Sequence, residues 1–321
     1  LFSKRLIPLL AILIVAISVR SALENNNGAA EVRQVAKRSS RMVSNPVFSL
    51  DRPEPPPEEK LGFEISTSAP EISAHSYVVK IVGIRRPILK QREWKAVAPA
   101  SLIKLLTAVA AQEVLPVTEW ISFSEEAKSV EEKRSGVVVG EALLRDDAIR
   151  VMLISSANDA ALALAEAVGR KLGGDNFDSA FNLFLEYAGE TARKLGLSHS
   201  GIKNPSGLDA EGQLMSAEDL AILAEYILKK HTKILEISRT VETVVYSDKL
   251  TEYRVANTND LLREFPAILG GKTGFTDNAK GALLFLYPVR PGLTAIAVLL
   301  GSEDRFEDGR WIIQWLETIN P

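Results

Sequence analysis

The chain contains no cysteine, and this absence excludes disulfide bonds, thiolate metal sites and a cysteine nucleophile. Histidine is also scarce, since His75, His199 and His231 are the only three among 321 residues and no two have the close spacing of a zinc-binding pair. The formal net charge is −3, so the chain lacks the basic excess that favours nucleic acid. We therefore expect neither a histidine-rich metal site nor a nucleic-acid partner.

The N-terminal segment has the form of a targeting sequence. Lys4 and Arg5 precede an apolar run over residues 6–19, which is short for a membrane-spanning helix. We predict that residues 1–23 are a signal peptide or, if they are not cleaved, an N-terminal membrane anchor. The rest of the chain would then lie outside the cytoplasm, in the periplasm or at the cell surface.

Residues 24–70 are rich in Asn, Ser, Glu and Pro. Such a composition buries too little apolar surface to become ordered, and it predicts a disordered Pro/Glu-rich linker. The linker would either tether the following domain to a membrane or be a simple disordered terminus.

The remainder, residues 71–321, has the pattern of one domain with mixed secondary structure. Alternating apolar residues predict strands near both of its ends, whereas residues 141–235 are rich in Ala and Leu and predict helices. The fold class is therefore α/β (α+β), with an antiparallel sheet formed from both ends of the domain and a helical insert between them. The predicted strands are 77–84, 87–94, 267–276, 280–289 and 293–301, and two further helices are predicted at 101–114 and 305–319.

Ser101 and Lys104 form the first candidate for chemistry. A spacing of three residues on a helix puts both side chains on one face, so the amine can reach the hydroxyl. Lys104 lies in an apolar stretch, and burial lowers the pKa of a lysine until its neutral amine can act as a general base. The same spacing recurs at Ser200 and Lys203, where a nearby proline and glycine predict a loop. A capping serine with a solvent-directed lysine is the alternative interpretation of a lone match.

Two further short motifs each occur once. Ser156 and Asn158 lie between an apolar stretch and an Ala/Leu-rich helix, and a helix-capping cluster is the alternative interpretation. Lys272, Thr273 and Gly274 lie on a predicted strand, where a cation and a hydroxyl can hold a carboxylate and the glycine admits a ligand backbone. Taken together and in this order, Ser-x-x-Lys, Ser-x-Asn and Lys-Thr-Gly resemble the motif set of penicillin-recognising serine enzymes.

Longer stretches around these motifs resemble the low-molecular-mass D-alanyl-D-alanine carboxypeptidases, which are penicillin-binding proteins. The resemblance covers about residues 72–316 and implies the β-lactamase/transpeptidase-like fold. At one position the chain departs from the family pattern, because Ser206 stands where the family often has histidine. The similar stretches are PASLIKLLTA at 99–108, SANDAA at 156–161, NPSGLD at 204–209, NTN at 257–259 and GKTGFT at 271–276.

The resemblance implies four catalytic residues. Ser101 would attack the carbonyl between two D-alanines, and Lys104 would take its proton. Ser156 would relay a proton toward the leaving amine, while Asn158 would orient Lys104 and the substrate amide. Water would then release the acyl-enzyme, so neither a metal nor an organic cofactor is implied.

The resemblance also implies how the substrate is held. Lys272 and Thr273 would hold the terminal carboxylate, and Gly274 and Phe275 would complete the binding strand. The oxyanion would lie between the backbone N–H groups of Ser101 and Phe275. The implied partners are peptidoglycan stem peptides that end in D-Ala-D-Ala, with β-lactams as covalent inhibitors.

The predicted function is therefore a serine D-Ala-D-Ala carboxypeptidase that trims the terminal D-alanine of stem peptides. Three alternatives stay open at this point. A DD-endopeptidase would use the same residues in a more open groove, and a penicillin-binding wall sensor would be acylated without turnover. A β-lactamase would need a glutamate for rapid deacylation, and the sequence offers Glu186, Glu190 and Glu211 without assigning one.

Overall fold

The computed structural model describes residues 68–130 and 132–319. The predicted leader, residues 1–23, lies outside the described residues, as does the predicted linker as far as residue 67. Among the helices that are described, none combines the length and the apolarity needed to cross a membrane.

The described residues form nine strands and nine α-helices, numbered here in chain order. Strands β1 to β9 are Ser76–Ile81, Leu89–Gln91, Trp120–Ser122, Ala142–Leu144, Glu242–Tyr246, Glu252–Ala256, Gly270–Thr276, Lys280–Arg290 and Leu293–Ser302. Helices α1 to α9 are Lys104–Val114, Glu125–Lys128, Arg145–Ile154, Asn158–Lys171, Phe177–Leu195, Ala217–Lys230, Thr232–Ser238, Leu261–Glu264 and Arg305–Thr318.

Five strands form one antiparallel sheet in the order β2-β1-β9-β8-β7. The first strand pairs with the last, as in the alignment of Tyr77 with Leu299. The sheet predicted from both ends of the domain is therefore confirmed. Strand β2 is shorter than the predicted strand at 87–94, because only three residues pair with β1. Two small antiparallel pairs, β3 with β4 and β5 with β6, lie outside this sheet.

The sheet is covered on both faces, which explains the near-continuous apolar sequences of β8 and β9. Successive side chains on a strand point to opposite faces. Leu283, Phe285 and Leu299 accordingly pack with the C-terminal helix α9, while Leu284 and Val298 pack with the helical insert. Burying each such side chain contributes about 1.5–3 kcal/mol.

Helix α1 lies at the centre of the helical insert, and every residue from Lys104 to Ala111 is buried. Its sequence is apolar on all sides, as expected for a helix with no solvent-facing stripe. A 3-10 turn, Ala100–Ile103, precedes it and contacts β7 and β8. The N-terminal end of α1 is thereby held against the edge strand of the sheet.

Candidate active site

Ser101 lies in the 3-10 turn, and Lys104 is the first residue of α1, so the predicted helix 101–114 begins as a tighter turn. Lys104 Nζ lies 2.7 Å from Ser101 Oγ, and both side chains are buried. Burial, with the positive charges of Lys272 and Lys133, holds the pKa of Lys104 well below its ordinary value. The structure thus pairs Ser101 with a buried lysine whose pKa is lowered, as the motif predicts.

The other two contacts of Lys104 fix the direction of its lone pair. Its Nζ lies 2.7 Å from Asn158 Oδ1 and 2.7 Å from the carbonyl oxygen of Ser206. The Asn158 amide is oriented by its Nδ2 group, which donates to the carbonyl of Glu132 at 3.0 Å. Both oxygens can only accept, so a neutral amine gives its two N–H groups to them and turns its lone pair to the Ser101 hydroxyl. This arrangement suits proton transfer from serine to lysine.

The departure from the family pattern at Ser206 leaves this contact intact. Lys104 bonds to the main-chain carbonyl, which any residue at position 206 provides. The side chain of Ser206 instead donates to Asn204 Oδ1 at 3.1 Å, and the same oxygen accepts the N–H of Gly207 at 2.8 Å. Asn204 therefore shapes the loop, and the loop positions the carbonyl for Lys104.

Lys272, on strand β7, forms a hydrogen bond with Ser156 of the Ser-x-Asn motif. Its Nζ donates to Ser156 Oγ at 2.9 Å and to the carbonyl of Thr273 at 2.9 Å. Burial, followed by the charges of Lys133 and Arg305, lowers the pKa of Lys272 to about 7. The Thr273 hydroxyl lies 2.6 Å from that of Thr258, a residue of the NTN stretch.

Gly274 is required by the close approach of β7 to the serine. A Cβ at this position would lie 2.8 Å from the Cβ of Ala100 and 2.9 Å from the backbone nitrogen of Ser101. No residue other than glycine fits without displacing one of these elements. The next residue, Phe275, follows on the same strand with an exposed side chain. The eight predicted site residues are thus brought together: Ser101, Lys104, Ser156, Asn158, Lys272, Thr273, Gly274 and Phe275.

The backbone is strained where these motifs meet. Three non-glycine residues with positive φ belong to the site or border it, with φ of 46° at Ala100, 46° at Lys133 and 61° at Ser156. Such conformations each cost about 1–3 kcal/mol and persist where the surroundings fix them. The strain indicates that these three positions are held by their contacts.

Three charged residues at the site were not predicted from the sequence. Lys133 lies beside Asn158, since its carbonyl accepts the Asn158 N–H at 2.8 Å. Asp159, fully buried, binds Lys128 and accepts the N–H of Ser135 at 2.9 Å. The one signal in the sequence was that Asp159 directly follows Asn158. That this carboxylate is buried, and therefore needs a partner, is visible only in the folded chain.

Arg305 is the third missed residue, at the start of α9. Its Nε is buried and has no hydrogen-bond partner among the described residues, and its charge lowers the pKa of Lys272 and Lys133. An unpaired buried N–H is costly unless a ligand satisfies it. The nearby strand β7 and the two lysines make this a position where an anion is stabilised.

The second serine–lysine pair does not form a site. Ser200 Oγ donates to Asp219 Oδ2 at 2.7 Å, and the backbone N–H of Lys203 donates to Gln213. The segment is a loop, as predicted. In the described part of the chain, no group of three or more His, Asp or Glu side chains is arranged to hold a metal ion.

The unusual pKa of Lys272 predicts that stability rises with pH. Between pH 7 and about 10, the unfolded chain holds this proton while the folded protein has released it. From pH 7 to pH 9, the free energy of unfolding should therefore rise by about 2 kcal/mol more in the wild type than in Lys272→Met. Urea unfolding of both proteins at several pH values measures this difference. Equal pH dependence in the two proteins would show that Lys272 is not desolvated in the folded state.

Comparison with known proteins places these features in a family. The model of the D-alanyl-D-alanine carboxypeptidases, peptidase family S11, matches residues 64–304. The D-alanyl-D-alanine carboxypeptidase DacF of Bacillus subtilis is 29% identical over 225 residues, which cover 68% of this chain and 55% of the relative. A D-alanyl-D-alanine endopeptidase of Pseudomonas aeruginosa is 29% identical over 243 residues, covering 72% of this chain and 73% of that protein. The chain thus spans about half to two thirds of the length of several carboxypeptidases that it matches.

Solved structures agree with the fold prediction. The crystal structure of the Streptomyces K15 DD-transpeptidase superposes with a TM-score of 0.72 at 20% identity, covering 78% of this chain and 100% of that one. This likeness confirms the transpeptidase/β-lactamase-like fold, and the family model spans most of the chain. The chain therefore belongs to the D-alanyl-D-alanine carboxypeptidase family.

Proposed function

We propose that this protein is a serine D-Ala-D-Ala carboxypeptidase that removes the terminal D-alanine of peptidoglycan stem peptides. The observation that carries the proposal is the buried amine of Lys104, 2.7 Å from Ser101 Oγ, with two acceptor-only oxygens on its other sides. Burial lowers the pKa of a lysine held in this way and favours the neutral amine, which can activate a serine nucleophile. Membership of the carboxypeptidase family supports the same chemistry.

In the first step, Ser101 Oγ attacks the carbonyl carbon between the two D-alanines as Lys104 takes the hydroxyl proton. The backbone N–H groups of Ser101 and Phe275 are the proposed donors to the oxyanion. The Gly274 contact with Ser101 supports this assignment, because it holds the two backbone segments side by side. Collapse of the tetrahedral intermediate breaks the peptide bond and leaves an ester on Ser101.

The departing amine needs a proton, and its carboxylate needs a binding site. We assign the proton relay to Ser156, whose Oγ is oriented by Lys272 at 2.9 Å. We assign the carboxylate site to Lys272, Thr273 and the unpaired Nε of Arg305. A bound carboxylate raises the pKa of Lys272 above its value of about 7 in the free protein, so binding and protonation support each other.

Transfer of the first proton to the leaving amine returns Lys104 to its neutral form. The Lys104 amine then takes a proton from water as water attacks the ester, and it returns that proton to Ser101 Oγ as the truncated peptide leaves. Among the described residues, Glu186, Glu190 and Glu211 are exposed and make no bond to Ser101 or Lys104. This supports slow release of a penicilloyl group and argues against the β-lactamase alternative.

The decisive experiment incubates the protein with a peptide that ends in Lys-D-Ala-D-Ala and, separately, with a fluorescent penicillin. Release of D-alanine over many turnovers, together with a persistent penicillin label, is expected. Release that stops at one equivalent would identify a sensor, and rapid loss of label with penicillin hydrolysis would identify a β-lactamase. A labelled protein that cleaves only cross-linked peptides would be an endopeptidase.

We further infer that the chain acts outside the cytoplasm, with its N-terminal segment serving as a leader or a membrane anchor. The basic residues Lys4 and Arg5 before the apolar run at 6–19 support this inference, and stem peptides are part of the cell wall. Fractionation of cells that produce the full chain tests it. An anchored protein sediments with the membranes, a cleaved one is exported and shorter, and a full-length cytoplasmic protein would contradict the inference.

A further inference from the structure

Lys133 lies on the loop that borders the second motif, and two consecutive carbonyls of this loop hold Asn158. The carbonyl of Lys133 accepts the backbone N–H of Asn158 at 2.8 Å, and that of Glu132 accepts its side-chain amide at 3.0 Å. Asn158 in turn bonds to Lys104. The backbone of Lys133 is therefore fixed beside Asn158, a residue of the same motif as Ser156.

The loop is clamped so that Lys133 keeps this place. Asp159 binds Lys128 on one side of it and receives the N–H and hydroxyl of Ser135 on the other, at 2.9 Å and 2.7 Å. Between the two contacts, Lys133 adopts a φ of 46°, which is unfavourable for a residue with a Cβ. A strained, clamped position points to a function for the side chain.

The Lys133 side chain is exposed, and its amine makes no ion pair or hydrogen bond within the described part of the chain. The charge of Arg305 lowers the pKa of Lys133, and the charge of Lys133 lowers the pKa of Lys272. Of the acidic groups nearby, Glu132 favours the charged form of Lys133, Asp159 is already bound to Lys128, and Asp304 and Asp260 favour the charged form of Arg305. The amine of Lys133 and the Nε of Arg305 nevertheless have no hydrogen-bond partner among the described residues, so an incoming anion would find two unpaired donors here.

We propose that the Lys133 ammonium binds the free carboxylate of the leaving amino acid, as a further substrate-binding residue on the loop that holds Asn158. This inference rests on the proposed function. The leaving side of the substrate is chosen because Lys272 and Arg305, the cations that act on Lys133 or are acted on by it, lie at the proposed carboxylate site. The leaving carboxylate would then be held from two sides, by β7 and by the 132–135 loop.

A structural role of the Lys133 main chain can be separated from carboxylate binding by its side chain. The contacts that hold Asn158 use the main-chain carbonyls of Glu132 and Lys133, which any side chain at position 133 preserves. Changing Lys133 to Met therefore removes the charge while keeping the bonds that position Asn158. A loss that follows the charge of the substrate would come from the ammonium alone.

The test compares Lys133→Met and Lys133→Arg with the wild type on two peptides of equal size, one ending in D-Ala-D-Ala and one in D-Ala-D-alaninamide. We expect Lys133→Met to raise KM for the acid about tenfold and to leave KM for the amide unchanged. Loss of the charge also acts on the pKa of Lys104, and that effect should change kcat for the two peptides equally. Lys133→Arg should restore most of the affinity for the acid. Added NaCl should raise KM for the acid more in the wild type than in Lys133→Met. Salt screens the attraction between the Lys133 ammonium and the carboxylate, and the variant has no such attraction to lose.

Lys194→Met, at an exposed lysine on α5, is the matched control and should leave both peptides unaffected. An unchanged KM for the acid in Lys133→Met, or an equal rise in KM for acid and amide, would overturn the inference while leaving the carboxypeptidase proposal standing. If the wild type released no D-alanine, the proposed function would fail instead. Acylation by a fluorescent penicillin, which also carries a carboxylate, would then still measure the contribution of Lys133.

Discussion

Ser101→Ala is expected to abolish D-alanine release and penicillin labelling while leaving the fold intact. Without the hydroxyl no acyl-enzyme can form, and loss of a serine nucleophile of this kind lowers kcat by at least about 10³. The fold should persist because the substitution removes one buried oxygen, and Lys104 keeps its contacts with Asn158 and Ser206. Release of D-alanine and intact mass after incubation with penicillin measure both effects.

Ser200→Ala is the matched control, since Ser200 belongs to the second Ser-x-x-Lys segment of the same chain. It should retain labelling and turnover. A Ser101→Ala protein that is still acylated at a single site would locate the nucleophile elsewhere, and peptide mapping of the labelled protein would then identify it.

Lys104→Met is expected to slow acylation of Ser101 by about 10³ or more, because the base that takes the serine proton is removed. Lys104→Arg should be almost as inactive. A guanidinium can still donate to Asn158 and Ser206, but it remains protonated and cannot accept a proton. Acylation rates with a fluorescent penicillin, measured from pH 6 to pH 9, distinguish these cases.

The pH dependence of the acylation rate is a second test of the role of Lys104. The wild type should acylate readily near neutrality, since burial holds the pKa of Lys104 well below its ordinary value. Lys203→Met, in the second Ser-x-x-Lys segment, should behave as the wild type. Rapid acylation in Lys104→Arg would mean that hydrogen bonding rather than proton transfer is the contribution of this residue.

Sequence reasoning predicted the parts of the fold that are locally encoded. The apolar strands near both ends and the Ala- and Leu-rich middle follow from periodicity, and the structure confirms their arrangement in one sheet with a helical insert. The predicted ends of some strands and helices differ from those in the structure. Strand β2 is limited to Leu89–Gln91, and the serine lies in a 3-10 turn rather than in an α-helix.

The three motifs were found because their spacing is fixed by chemistry on a single turn or strand. Lys133 and Arg305 carry no such local signal. Their importance arises from loops and helix ends that only the folded chain brings toward Lys272. The same holds for the carbonyl of Ser206, because a main-chain contact leaves no trace in the residue type.

The pairing of β1 with β9 has a consequence for how the protein is made. Tyr77 on β1 pairs with Leu299 on β9, and nearly the whole length of the domain separates them in sequence. The two strands can pair only after β9 has been synthesised. Such long-range closure is slow, and a domain built on it completes its sheet only after its last strand is available. The contact between Gly274 and Ser101 is also long-range in sequence, so it forms only after strand β7 is available. A chain still emerging from the ribosome would therefore carry Ser101 without the residues that surround it in the folded domain.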